Sequence, residues 1–577
     1  MSTPETPTAA TITIRETLDL LDGDAGGVAN GVANGKFALW LGSGISMNSV
    51  PGLAGAIRNV LEFLHARADT TDEKCEHHVA LREAIKLADL DASDLRKVDL
   101  TKPVSDWAHL DRIITKLVRR YSELLDIRVA DEDEDYLLWE GVDIKSTYAA
   151  AVEPGTEHLC VAILALEGVI HDIPSANWDG LIETAIEQLA KHPTQALEVF
   201  VLKTDFQGAR NSPRLLKFHG CAVLAARDEA QYRSALVGTS SQITDWTEHG
   251  ESDVMCKALT LLATEKRTLM IGLSAQDVDI QNVFTKAKNL MPWSWSAAAP
   301  AYAFAEQEIG DMQKNLLKVV YRDEYQKHLR DIDQTALIRA YAEPLLAALV
   351  LYILAAKLCD YVILAPALGI PATDRQVLTD GIRHIRNEVA ERCEPNRLES
   401  VRTIIQAQGR ALRLFRTGEA PKVGDTTYSP LSNGTVESIR TDPGIESGGM
   451  RELATALGIL GHGESEATWM LRVQSGATGT PGALTVSSGT GDDVAVHFAV
   501  NNGSAVRQET LASVAATPEK TIMIHSVRPV QRAARNPRTS YGRTGHAGIR
   551  HVDMETLLET CTSVAQLQEQ FRTAASI

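Results

Sequence analysis

The strongest constraint on this chain is a recurrence: short apolar runs that close on glycine or polar residues, separated by amphipathic stretches. The runs are FALWLG (37–42), GVIHDI (168–173), LEVFVL (197–202), RLLKFHG (214–220), TLMIGL (268–273) and AYAFA (301–305). Short buried strands alternating with helices predict a parallel sheet covered on both faces. A chain of 577 residues also exceeds what one hydrophobic core usually organises, so more than one domain is expected.

From about 55 to 157 the pattern is helical, as in ALREAIKLADL and LDRIITKLVRRYSELLDI, which predicts a large helical insertion after the first strand. It carries the acidic stretch Asp131 to Asp135, read as a solvated loop because consecutive carboxylates point apart on most backbones. Residues 335–448 read as helices followed by a Gly/Ser/Pro/Thr-rich linker from Thr417 to Gly449. Beyond it TWMLRVQS, ALTVSS, DVAVHFAV and TIMIHSV predict a small antiparallel sheet, closed by one amphipathic helix from about Met554 to Ala574. The division expected is an N-terminal segment (1–30), an α/β catalytic unit (31–334), a helical region with linker (335–448) and a β-rich C-terminal α+β unit (449–577).

Composition narrows the class. A formal net charge of −18 disfavours a protein that coats nucleic acid, since a negative surface repels phosphates. The start, MSTPETPTAATITIRETLDLL, lacks the basic opening and apolar core of a secretory signal, so a cytoplasmic location is expected. The longest apolar run, Leu345 to Ala356, is shorter than the roughly 20 residues of a spanning helix and reads as a buried one, with no membrane role expected. The seven cysteines form no CxxC pair, against both a disulfide framework and a zinc ribbon.

Chemistry gathers at the strand ends. LGSGIS places Gly42, Ser43, Gly44 and Ser46 after the first strand, before a helix opening near Leu53. Small residues there let backbone N–H groups approach a pyrophosphate, although a purely structural turn reads the same way. IPSANWDGLIE puts Asn177 and Asp179 on a loop entering a helix, where both could equally be caps. LLKFHGC puts His219 beside Gly220 at another strand end, and MIGLSAQDVDIQNVF runs into Gly272, Ser274 and Asp277.

In this order the four segments resemble the sirtuin superfamily across roughly residues 30 to 310. That resemblance implies a Rossmann-like sheet whose GAGxS-type loop (Gly42, Ser43, Gly44, Ser46) faces the phosphates of NAD. It also implies a catalytic Asn177, a dinucleotide-contacting Asp179 and a general base His219, with Gly272, Ser274 and Asp277 near the ribose and adenosine. The forms NWDxLIE and GLSAQD look most like bacterial sirtuin-like NADases of anti-phage defence. Protein deacylases of the family carry zinc on two CxxC pairs and often read IPDFR where this chain reads SVPGLAG. Zinc is therefore not expected, and hydrolysis of NAD, as substrate, to nicotinamide and ADP-ribose is favoured over deacylation or nucleotide binding without turnover.

Between Thr521 and His551 every ionised side chain is an arginine: Arg528, Arg532, Arg535, Arg538, Arg543 and Arg550. Such a cluster could bind phosphates, a partner's carboxylates or this protein's own acidic surface. The resemblance further implies a homo-oligomer and a partner such as a HerA-type hexameric ATPase or a short Argonaute. No GxxxxGK[ST] motif occurs in the sequence, so ATPase activity would belong to the partner. Nucleic acid would be met only indirectly or through the arginine cluster.

Overall fold

The computed structural model describes residues 7–577 except 209–211, 248–249, 251, 292, 297–298, 364–369, 423, 443, 445–447, 474–481, 489–492 and 530–547. Seven short strands, β1 (Phe37–Leu41), β2 (Asp172–Ser175), β3 (Glu198–Phe200), β4 (Arg214–Lys217), β5 (Arg267–Ile271), β6 (Tyr302–Ala305) and β7 (Leu337–Ile338), make one sheet in the order β3-β4-β2-β1-β5-β6-β7. Every pairing in it is parallel, as the alternating runs predict. All five β1 residues are buried, which explains why the strand reads as an unbroken apolar run.

One predicted strand is displaced. Gly168 and Val169, read as the start of β2, instead close the preceding helix: both donate to its last carbonyls, and Gly168 takes φ +70°. The strand itself begins at Asp172, which Arg214 and Lys266 hold from either side.

Helices cover both faces. On one lies the insertion, from α2 (Leu53–Arg67) up to the start of α3 (Thr156–Leu166), and its Ile57, Leu61, Leu81, Ile113, Leu117 and Leu138 pack with Trp40 and Phe218 of the sheet layer and with Phe284 of the helix after β5. The acidic stretch within it is engaged: Asp133 and Asp135 receive hydrogen bonds from Arg233 at 3.0 and 2.6 Å. On the other face lie α1 (Ile14–Asp22), α3, α4 (Leu181–Leu189), α6 (Ala342–Ile363) and α8 (Arg397–Thr417), while α5 (Val278–Leu290) follows β5 on the first face.

The apolar run Leu345 to Ala356 lies inside α6, whose 22 residues pass a length-and-composition test for a membrane span. Most of α6 is buried in the protein, with Leu345, Leu346, Ala348 and Ile353 fully covered, so it is a core helix, as read from the sequence. Its first half belongs to the core beneath the seven-stranded sheet and its second half to another core, shared with α7 (Ala372–Arg392), α9 (Met450–Ser465) and a second sheet.

That second sheet corrects an expectation. Its strands β8 (Trp469–Val473), β9 (Leu484–Ser488), β10 (Asp493–Ala499), β11 (Thr521–His525) and β12 (Arg550–Asp553) lie in the order β12-β11-β10-β9-β8. The β8–β9 and β9–β10 pairings are antiparallel, but β10, β11 and β12 run parallel. The stretch between β10 and β11 holds the helices Asn502–Glu509 and Ala512–Ala516, long enough for the crossover that parallel strands need. The final helix is likewise two, Met554–Thr560 and Val564–Ala575, because Ser563 caps a fresh start by accepting from Gln566 N–H.

The polar stretch 417–449 is not a free linker over its described residues: Tyr428 and Leu431 are buried in it, and Val436–Ile439 is helical. Of the arginine cluster, Arg532, Arg535, Arg538 and Arg543 lie outside the described residues. Arg528 pairs with Glu559 at 2.8 Å, and Arg550 donates to the carbonyls of Glu519, Ala575 and Ser576. Both described ends of the cluster thus serve the protein's own packing.

Candidate functional site

A cavity of about 690 Å³, counted out to its mouth, opens at the carboxyl ends of β1, β2, β4 and β5. Its position at the reversal of strand order is where open α/β sheets bind ligands. Gly42, Ser43, Ser46, Asn177, Asp179, His219, Gly272, Ser274 and Asp277 all line it. Gly44 does not.

The glycines have a different local reason from phosphate approach alone. A Cβ on Gly42 would stand 2.3 Å from the Gly272 carbonyl oxygen, and one on Gly44 2.5 Å from the Gly272 Cα. Gly272 itself adopts φ +64°, a conformation that glycine takes without strain. The β1 and β5 loops therefore touch backbone to backbone. Gly42 and Gly44 N–H are spent on the carbonyls of Ile271 and Gly272, and Ile45 and Ser46 N–H on those of Gly42 and Ser43. Ser43 N–H remains the uncommitted donor of this turn among the described residues. The loop closes as a 3₁₀ turn at Ser43–Ile45, and α2 starts only at Leu53, still on the cavity wall.

Asn177 is 6% exposed. Its backbone N–H donates to Ser175 Oγ and its Nδ2 to Ser46 Oγ at 3.3 Å. Its Oδ1 is buried with no hydrogen-bond donor, a costly state unless a ligand supplies one. Asp179 performs the capping role open to it in the sequence, accepting from Leu181 N–H at 3.1 Å at the entry to α4.

His219 is positioned by a residue the motifs did not single out. Its Nε2 lies 2.7 Å from Asp279 Oδ2 in the first turn of α5, and the other oxygen of Asp279 accepts from Ile280 N–H. Both side chains are buried. Burial alone would lower the imidazole's pKa, but the Asp279 charge and hydrogen bond, helped by Asp277, hold it above the ordinary value. With Nε2 engaged, Nδ1 is the ring nitrogen left for the cavity.

The insertion reaches in as well. Tyr121 OH donates to Asp277 Oδ1 at 2.9 Å, and burial raises the Asp277 carboxyl above its usual range. Tyr148 bonds the Pro51 carbonyl and meets Trp178 edge-on, ring centres 5.5 Å apart, so an aromatic wall stands beside Asn177. A second missed residue is His158 of α3, whose Nε2 lies 3.0 Å from Ser46 Oγ. The one sequence signal for it is a glycine three residues before, where the helix starts.

Among the described residues the wall thus carries two carboxylates, Asp179 and Asp277, and no lysine or arginine. Such a cavity suits a ligand part that is, or becomes, positively charged. Among the described residues no group of three or more His, Cys, Asp or Glu side chains is arranged to hold a metal ion.

A search of curated proteins finds no match to the chain. Residues 172–329 match the SIR2-like domain family, a span that holds Asn177, Asp179, His219, Asp277 and Asp279 and that begins at β2. Over that part, which runs from β2 past β6, the chain is similar to SIR2-like domains.

Proposed function

We propose that this chain is an NAD glycohydrolase, splitting NAD into nicotinamide and ADP-ribose. The observation that carries the reading is the unpaired Oδ1 of Asn177 sharing one cavity with the His219–Asp279 pair. Heterolysis of the glycosidic bond sends its electron pair to the nicotinamide nitrogen, which loses its positive charge, and leaves a cationic ribose. Asp179 and Asp277 stabilise that cation. Asn177 Oδ1 accepts from a hydroxyl at the reacting end, and neutral His219 takes the proton of the water that adds to the ribose carbon. The pyrophosphate extends to the rim, where Ser43 and Ser274 are exposed.

The departures from the deacylase pattern support hydrolysis: Leu53 lines the wall where deacylases often carry an aromatic, and no CxxC pair occurs. The physiological role we assign is NAD depletion in anti-phage defence, restrained by oligomerisation or by a partner such as a HerA-type ATPase or short Argonaute.

The test is chromatography of NAD products from the full chain, alone, with its genomic neighbour, and with an acetylated peptide. Nicotinamide and ADP-ribose should appear without peptide. Asn177→Ala and His219→Ala should each lower release by about a hundredfold or more, with unchanged circular dichroism. Full activity in both variants, or strict dependence on the peptide, would sink the proposal.

A further inference from the structure

Ser46 and Asn177 leave two hydrogen-bonding groups without partners in the same corner of the cavity, and His158 decides which two. His158 is the third residue of α3, and its Nδ1 accepts from Gly155 N–H at 3.1 Å as the helix's capping contact. Burial lowers its pKa to about 4, against a small opposing pull from Asp179, so the ring is neutral. A neutral imidazole with Nδ1 accepting carries its proton on Nε2. Nε2–H therefore donates to Ser46 Oγ at 3.0 Å, and Asn177 Nδ2 donates to the same oxygen at 3.3 Å.

A serine oxygen has two lone pairs and one proton. Both lone pairs of Ser46 are filled, and its proton has no acceptor among the described residues. Beside it Asn177 Oδ1 is an acceptor without a donor. The corner thus offers one proton and asks for one.

We propose that His158 is a positioning residue that makes Ser46 an obligate donor, so that Ser46 and Asn177 together read a ribose hydroxyl of the ligand and not its phosphates. The proposal rests on the reading of the cavity as an NAD site. Among the parts of NAD, a ribose hydroxyl is the group whose single oxygen accepts from Ser46 and donates to Asn177 Oδ1 at once. An ionised phosphate oxygen has no proton for Asn177 Oδ1, and among the described residues the wall supplies no lysine or arginine to offset its charge. Ser46 is 2% exposed, deeper than the rim where Ser43 stands.

Calorimetric binding of ADP-ribose, nicotinamide and inorganic pyrophosphate to the full chain tests this, with Ser46→Ala, His158→Phe, their double variant and His158→Gln. Ser46→Ala and His158→Phe should each weaken ADP-ribose roughly five- to tenfold, the share of one hydrogen bond. The double variant should be no weaker than either single one. His158→Gln, which keeps a neutral donor, should stay within about twofold of wild type, and nicotinamide and pyrophosphate should not respond.

Additive losses, a glutamine variant as weak as the phenylalanine one, or losses that track pyrophosphate or nicotinamide each overturn the proposal. The glutamine variant keeps the test decisive if phenylalanine prevents folding. A wild type that neither binds ADP-ribose nor releases nicotinamide overturns the NAD reading along with it, whereas additive losses in an active enzyme overturn only the role of His158.

Discussion

At the scale of residues, His219 illustrates what a motif shows and what it hides. Its place after an apolar strand is legible because the strand is, whereas Asn177 is legible only from its loop before a helix, its strand lying at Asp172–Ser175 and not at the apolar run 168–173. Asp279 is not legible: in the string DVD at a helix start two acids read alike, and only packing turns Asp279 onto the imidazole while Asp277 takes Tyr121. His158 is hidden for another reason, since EHLCVAILAL reads as a core helix in which a lone histidine is ordinarily structural.

The pairing has a pH signature. Replacing Asp279 by asparagine removes the charge that offsets burial, so the acidic limb of the kcat/KM profile should move to lower pH while the plateau falls. Because the folded pKa of His219 is raised, the pair's stability is fully present below the imidazole's ordinary pKa of about 6.5 and lost as pH rises through the folded value. The melting penalty of Asp279→Asn should therefore be larger at low pH than at high pH. Equal penalties on both sides would count against the ion pair.

At the scale of elements, the sequence marks strands far better than it marks their partners. The long runs of β1, β4, β5 and β6 fall where the apolar pattern puts them. The two-residue β7 and the polar RHVD of β12 carry no such pattern, and the direction of pairing depends on what lies between the strands. Helix contacts are subtler still. Gly381 of α7 meets Gly458 and Gly461 of α9: a Cβ on Gly381 would stand 2.2 Å from the Gly458 oxygen, and one on Gly461 2.1 Å from the Gly381 oxygen. Gly381→Ala should force these helices apart and cost about 1–3 kcal/mol in a denaturant titration, without changing nicotinamide release per folded molecule. An unchanged midpoint would show that the helices separate at little cost.

At the scale of the molecule, the polar strap 417–449 and the last turn of α3 meet in a buried knot. Glu167 accepts from Lys357 Nζ at 2.7 Å, Tyr428 OH at 2.6 Å and Leu431 N–H at 3.0 Å, and Lys357 also caps the carbonyls of Glu167 and Ser432. Lys357→Met leaves a buried carboxylate without its cation, and a loss of about 3–5 kcal/mol in unfolding free energy is expected. A chain cut after Ile338 would bare the sheet face that α6 and α8 cover and should aggregate during expression. A monodisperse fragment of this length in size-exclusion chromatography would refute that.

Since α6 threads both cores, neither can melt alone without undoing a helix the other needs. Heat should therefore produce one calorimetric endotherm for the whole chain. Ligand held at the carboxyl edge of the first sheet then protects the second by mass action, by about 2.7 kcal/mol at a hundredfold excess over Kd. Amide hydrogens on β10 and β11, if they exchange through global opening, should slow in proportion, so that the distant sheet works as a gauge of cavity occupancy with no moving part between them.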